Sequence, residues 1–178
     1  MAASSDEWKS YTIGTFGENN ELSGLNVGDK VYIRAVAAGN SKMGTDSSNY
    51  HKFVMTGKIA ASGNINTLLN PDPNADVSLE GKDYCYYGMF LNCSSLTQAP
   101  ELPATTLANR CYSSMFEGCT SLTNTLALPA TTLADYCYYY MFSNCTKFSE
   151  VHMKREMEGV YNASTHGDTS KTVVYDLV

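Results

Sequence analysis

The chain has 178 residues, enough for one large or two small domains around a hydrophobic core. A formal net charge of −6 and a pI near 4.9 argue against a nucleic-acid surface, because Lys and Arg are scattered and outnumbered. No apolar run approaches the roughly eighteen residues that span a bilayer, and the low share of charged residues, 17%, beside abundant Tyr and small polar residues suits an exposed, secreted-type protein.

The N-terminal MAASSDEW has neither a basic nor an apolar leader segment, so no signal peptide is visible. Residues 8–65 read as strands: Tyr11 and Ile13, then Val31, Ile33 and Ala35, then Phe53 and Met55 alternate with polar neighbours. Gly28-Asp29 is a turn signal, and a Gly-rich loop follows over 37–48. The expectation is an antiparallel β-rich N-terminal cap over residues 1–70. Residues 71–84 form a linker into a repeated segment. The linker's run Asp72-Pro73-Asn74-Ala75-Asp76, with Asp83 in the twelfth place, faintly resembles a calcium loop. Val77 stands where such a loop needs Gly, and no helices flank it, so an acidic turn is the plainer reading. Whether Asp72, Asn74 and Asp76 bind calcium stays open.

Residues 85–148 repeat. CYYGMFLNCSSLTQAPELPATTLANR (85–110) lies over CYSSMFEGCTSLTNTLALPATTLADY (111–136), and CYYYMFSNCTKF begins a third copy at 137. Cys85, Cys111 and Cys137 are thus twenty-six residues apart, as are Cys93, Cys119 and Cys145. Leu107, Cys111, Met115 and Cys119 recur every four residues, with Tyr112 and Phe116 beside them. That spacing predicts one apolar helix stripe of roughly three turns. Gly118, equivalent to Asn92 and Asn144, reads as its left-handed cap. A short extended piece, Ser121-Leu122-Thr123, and the turn Leu128-Pro129-Ala130-Thr131-Thr132 complete the unit, with a Thr capping the next helix.

The runs at 89–97 and 115–123, Met-Phe-x-Gly/Asn-Cys-Ser/Thr-Ser-Leu-Thr, resemble the bacterial-surface (BspA-like) class of leucine-rich repeat. VGDKVYIRA and KFVMTGKIAASGNI are similar to segments that precede such repeats. The likeness covers about residues 58–150. It departs at APELP, where an extra residue leaves open which way Ala99, Pro100 and Glu101 point. It implies an α/β fold, a short leucine-rich-repeat solenoid of about two and a half units, and a secreted or surface-attached protein engaged in adhesion. Residues 149–178 are expected to close the far end: a strand at SEVHM, an amphipathic helix over Lys154 to Ala163 with Met157, Val160 and Tyr161 on one face, and a strand at Thr172-Val173-Val174-Tyr175. The whole is expected to be one continuous structural unit.

Chemistry is scarce. The six cysteines read as buried thiols, because a column of three cannot pair completely and no Cys-x2–4-Cys pair offers a zinc site. His51, His152 and His166 sit in no metal-binding frame, and neither a G-x-S-x-G elbow nor a phosphate loop occurs. The sequon matches at Asn92 and Asn144 are already explained by the capping position. Tyr86, Tyr112 and Tyr138 read as core edge, whereas Tyr84, Tyr87, Tyr136, Tyr139 and Tyr140 fall where the units differ. Those are either recognition contacts or solvent-facing filler. The resulting expectation is a non-enzymatic module without metal or cofactor. It would be extracellular or cell-surface and would bind a host or bacterial protein or glycan, with neither nucleic acid nor membrane insertion. The expected face is Thr97, Gln98, Thr123 and Asn124 on the short strands. The alternative is a structural spacer or display segment of a larger surface or fibre assembly.

Overall fold

The computed structural model describes residues 24–35, 42–75, 78–148, 150–154 and 172–176. It is a sheet-rich fold of short strands in parallel sheets, with no α-helix among the described residues. β1 (Ile59–Ala60) pairs in parallel with β2 (Leu96–Gln98). β3 (Leu126–Leu128), β4 (Glu150–Lys154) and β5 (Thr172–Asp176) form a second parallel sheet in that order. A 3₁₀ turn at Ile65–Leu68 is capped by the Asn64 side chain, which accepts from the Asn66 N–H.

The expected helices of the repeat are absent, and the backbone hydrogen bonds give the reason. In the first unit the N–H groups of Cys85, Tyr87, Met89, Leu91 and Cys93 each donate to the carbonyl three residues back. The alternate ones, of Tyr84, Tyr86, Gly88, Phe90 and Asn92, donate instead to Asn109, Cys111, Ser113, Met115 and Glu117 of the next unit. The second unit repeats the scheme, Arg110, Tyr112, Ser114, Phe116 and Gly118 donating to Asp135, Cys137, Tyr139, Met141 and Ser143. An α-helix would direct every donor four residues back. Here the chain is a row of overlapping β-turns, half its donors closing turns and half bonding the neighbouring unit, so these N–H groups are satisfied without a helix.

Every second turn needs a left-handed residue in its third place. These are Tyr84, Gly88 and Asn92 in one unit, Arg110, Ser114 and Gly118 in the next, and Tyr136, Tyr140 and Asn144 in the third, with φ between 53 and 75°. The four-residue spacing of apolar side chains is therefore the spacing of paired turns. Gly118, Asn92 and Asn144 do adopt the left-handed backbone, as turn residues and not as helix caps.

The inward side chains stack in columns. The rings of Tyr86, Tyr112 and Tyr138 lie 5.6 and 5.9 Å apart and nearly parallel. Phe90, Phe116 and Phe142 follow at 5.4 and 5.9 Å, and Phe148 closes that column 4.2 Å beyond Phe142. Cys, Met and Leu columns lie beside them, all buried. The N-terminal flank joins this arrangement. Phe53 stacks on Phe90 at 5.2 Å, Met43 N–H donates to Cys85, Phe53 N–H to Met89, and Ile59 N–H to Ser95. Residues 42–60 thus run beside the first unit as that unit runs beside the second. Among the described residues the expected antiparallel cap reduces to one isolated bridge, Gly44 to Tyr50, and 31–35 and 51–55 are not strands. Tyr11 and Ile13 lie outside the described residues.

Downstream, β3 and β4 alternate buried and outward residues, Leu126, Leu128, Val151 and Met153 facing in. β3 begins at Leu126, five residues after the start of the extended piece expected at Ser121-Leu122-Thr123. In the APELP segment Ala99, Pro100 and Leu102 are buried and Glu101 is exposed. The strands at SEVHM and Thr172–Tyr175 are present as β4 and β5. The helix expected between them lies outside the described residues, apart from Lys154, which ends β4.

Candidate recognition face

Three of the four residues expected to contact a ligand are tied into the stack. Thr97 donates its hydroxyl to the Ile59 carbonyl at 3.1 Å, and Thr123 donates to the Thr97 carbonyl at 3.3 Å. The Asn124 side-chain oxygen accepts the Ala99 N–H at 2.8 Å, bridging a place where the strands part. Thr97, Thr123 and Asn124 are brought together as a ladder whose polar atoms already serve the backbone. Gln98, exposed on β2, makes no side-chain hydrogen bond among the described residues.

A different row of side chains converges at the first left-handed position of each unit. The Arg110 guanidinium lies 4.3 Å from the Tyr136 ring centre and 6.0 Å from those of Tyr84 and Tyr139, within cation–π range. Among the described residues it has no ion-pair partner. Tyr84 continues through Tyr87 at 5.6 Å to Tyr50 at 5.1 Å. Tyr136 continues through Tyr139 at 5.2 Å to Tyr140 at 4.1 Å. The result is an aromatic–cation–aromatic row crossing three units. Tyr136 and Tyr140 are 37% and 41% exposed, and Tyr84, Tyr87 and Tyr139 are half-buried.

The middle unit carries Ser113 and Ser114 where its neighbours carry Tyr87-Gly88 and Tyr139-Tyr140, and both serines are buried. Ser113 donates its hydroxyl to the Tyr139 carbonyl at 3.1 Å. Beside the row lies an open depression of about 330 Å³ lined by Asp83, Tyr84, Asn109, Arg110, Asp135 and Tyr136. The Asn109 N–H donates to Asp83 Oδ1 at 3.2 Å, fixing that carboxylate at its rim. The twenty-six-residue equivalence of positions 84, 110 and 136 was the sequence signal for this row; the contribution of Tyr50 had none.

The remaining groups of chemical interest are quiet. All six cysteines are buried thiols. Burial pushes Cys85 up to about 12 and Cys93 and Cys137 up to about 11. The Sγ atoms of Cys93, Cys119 and Cys145 donate to the carbonyls of Phe53, Phe90 and Phe116, one unit back in each case. His152 pairs with Glu150 at 2.8 Å, and His166 lies outside the described residues. Asp72 Oδ1 accepts the Asn74 N–H in a local turn. Among the described residues no three His, Cys, Asp or Glu side chains converge on a point that could hold a metal ion, and no helix is long and apolar enough to cross a membrane. The chain matches no family model, no curated protein and no solved structure.

Proposed function

We propose that the chain is a non-enzymatic recognition module, a short solenoid of the leucine-rich-repeat type. It acts in a secreted or surface-attached setting and engages its ligand through the Tyr84–Arg110–Tyr136 row. The observation that carries this reading is conformational. At three equivalent positions the backbone is left-handed, φ 59, 54 and 56°, and there stand Tyr, Arg and Tyr. A left-handed backbone costs an ordinary side chain about 1–2 kcal/mol, which Gly escapes and Asn reduces. The third left-handed position of each unit, Asn92, Gly118 and Asn144, uses the inexpensive residues. Bulky side chains kept where cheaper ones serve the fold mark a surface retained for what it touches. Tyr and Arg are also the side chains that dominate binding faces elsewhere.

The test is to screen the immobilised chain against a glycan array and a panel of extracellular proteins, beside the double variant Tyr84→Asn/Tyr136→Asn. Retained folding with binding lost by about tenfold or more is the expected result. Reproducible silence of the wild-type chain in both screens sinks the recognition reading and leaves a spacer.

A further inference from the structure

We infer that the depression beside the Tyr84–Arg110–Tyr136 row binds a neutral oligosaccharide. This rests on the recognition reading above and specifies its ligand. The argument is one of chemical complementarity. Asp83 and Asp135 bring two negative charges to the depression and Arg110 one positive, so its own balance is one negative charge. The chain as a whole carries −6, and both fields repel an anionic ligand. A cationic ligand meets a different obstacle: the chain's own guanidinium stands 4.3 Å from the Tyr136 ring centre and repels a second positive charge there. A protein partner would use the same Tyr and Arg contacts, but the apolar centre of a protein interface also draws on exposed aliphatic side chains. Among the described residues the large ones, Leu25, Val27, Val31, Ile33, Val54 and Ile59, all fall between 25 and 59, and none lies in the row.

What the depression does offer suits hydroxyl groups on a ring with an apolar face. Two carboxylates accept, the Asn109 amide both donates and accepts, and the Arg110 guanidinium donates. The Tyr84 and Tyr136 rings supply platforms for the C–H face of a sugar. These groups recur once per unit, and in the neighbouring Tyr column rings of successive units lie 5.6 and 5.9 Å apart. The spacing is comparable to the advance of one pyranose ring along an extended glycan. Acceptor, donor-acceptor and acceptor therefore succeed one another along the stack at positions 83, 109 and 135.

The full chain titrated calorimetrically with cellohexaose, xylohexaose and mannohexaose tests this, with hexagalacturonate as the anionic arm and a chitosan hexamer as the cationic arm. Binding of at least one neutral hexamer is expected, weakened about tenfold by Tyr84→Asn or by Tyr136→Asn. Because Asn tolerates the left-handed backbone, both variants should melt at or above the wild-type temperature, which separates loss of contact from loss of fold. Glu101→Gln, exposed and outside the row, should change nothing. Binding confined to hexagalacturonate or to the chitosan hexamer overturns the inference, and so does neutral-sugar binding that survives both Asn variants. No sugar bound at all also overturns it. In that case the recognition reading stands if a protein ligand is lost with the same two variants, and falls if none is found.

Discussion

Tyr86 and Tyr112 show how one column can hold residues of unequal energetic standing. The Tyr86 hydroxyl donates to Asn66 Oδ1 at 3.1 Å, whereas the Tyr112 hydroxyl, equally buried, finds no hydrogen-bond partner among the described groups. Burying an unpartnered hydroxyl costs on the order of 1–3 kcal/mol. Tyr112→Phe should therefore leave stability unchanged or raise it, while Tyr86→Phe should lower it by about 1 kcal/mol through loss of the bond to Asn66. Denaturant unfolding of both variants reads the contrast, and equal losses would refute it. The thiols make a second prediction at this scale. Burial raises Cys85 from its ordinary 9.0 to about 12. The folded state thus holds its proton through a window in which the unfolded chain has released it. By linkage, the stability this group contributes is fully present below pH 9.0 and is lost as pH rises towards about 12. The melting temperature should fall across that window. At pH 8 the folded chain should resist alkylation, and all six thiols should react once it is unfolded.

In the turn ribbon, a Cβ on Gly118 would collide with the Asn92 side chain of the preceding unit, and one on Gly88 would stand 2.7 Å from the Tyr50 ring. Both glycines are left-handed, at φ +75 and +57°. Gly118→Ala should cost about 2 kcal/mol, chiefly backbone strain, because the half-buried Gly118 meets the exposed Asn92 side chain at the edge of the stack. Thermal melting checks this, and a loss below half that figure would show that the neighbouring unit yields easily. The ribbon also shows where sequence reasoning succeeded and where it stopped. The period and the buried set Cys85, Met89, Phe90 and Cys93 were legible, because burial follows spacing whatever the backbone does. Helix and turn ribbon were not distinguishable by spacing alone, since both return a side chain to one face every four residues. The informative signal was the residue between the apolar ones. Gly88 and Ser114 place weaker helix formers in the middle of the supposed helix, four residues before its expected cap at Asn92 and Gly118. The place of Phe53 in the stack was hidden for a different reason. Met43 and Phe53 are ten residues apart where Tyr86 and Phe90 are four apart, and the extra loop erases the period.

At the scale of the whole molecule, equivalent contacts join residues 42–60 to the first unit, that unit to the second, and the second to the third. Nearest-neighbour coupling of this kind predicts that one whole unit can be removed. Excising residues 111–136 preserves the register of both bonding sets, because Cys137 then follows Arg110 as Cys111 did. The shortened chain should still unfold cooperatively, at a lower temperature, and should lose the Tyr136 end of the Tyr84–Arg110–Tyr136 row. Excising twenty-five residues instead would exchange turn-closing donors for cross-unit donors and should abolish folding. Circular dichroism melts of the two deletions distinguish the outcomes.

The alternation of backbone donors also has a mechanical meaning. The bonds that close turns lie within a unit, and those linking units point along the stack. Tension applied between the chain ends loads the second set one bond at a time, as a zipper is opened, while the turns it frees have no partner left to hold them. Rupture should then proceed unit by unit, each event releasing twenty-six residues, or roughly 90 Å of extended chain. A molecule tethered against flow would yield in small, repeatable steps at modest force, dissipating load while its remaining units stay bound.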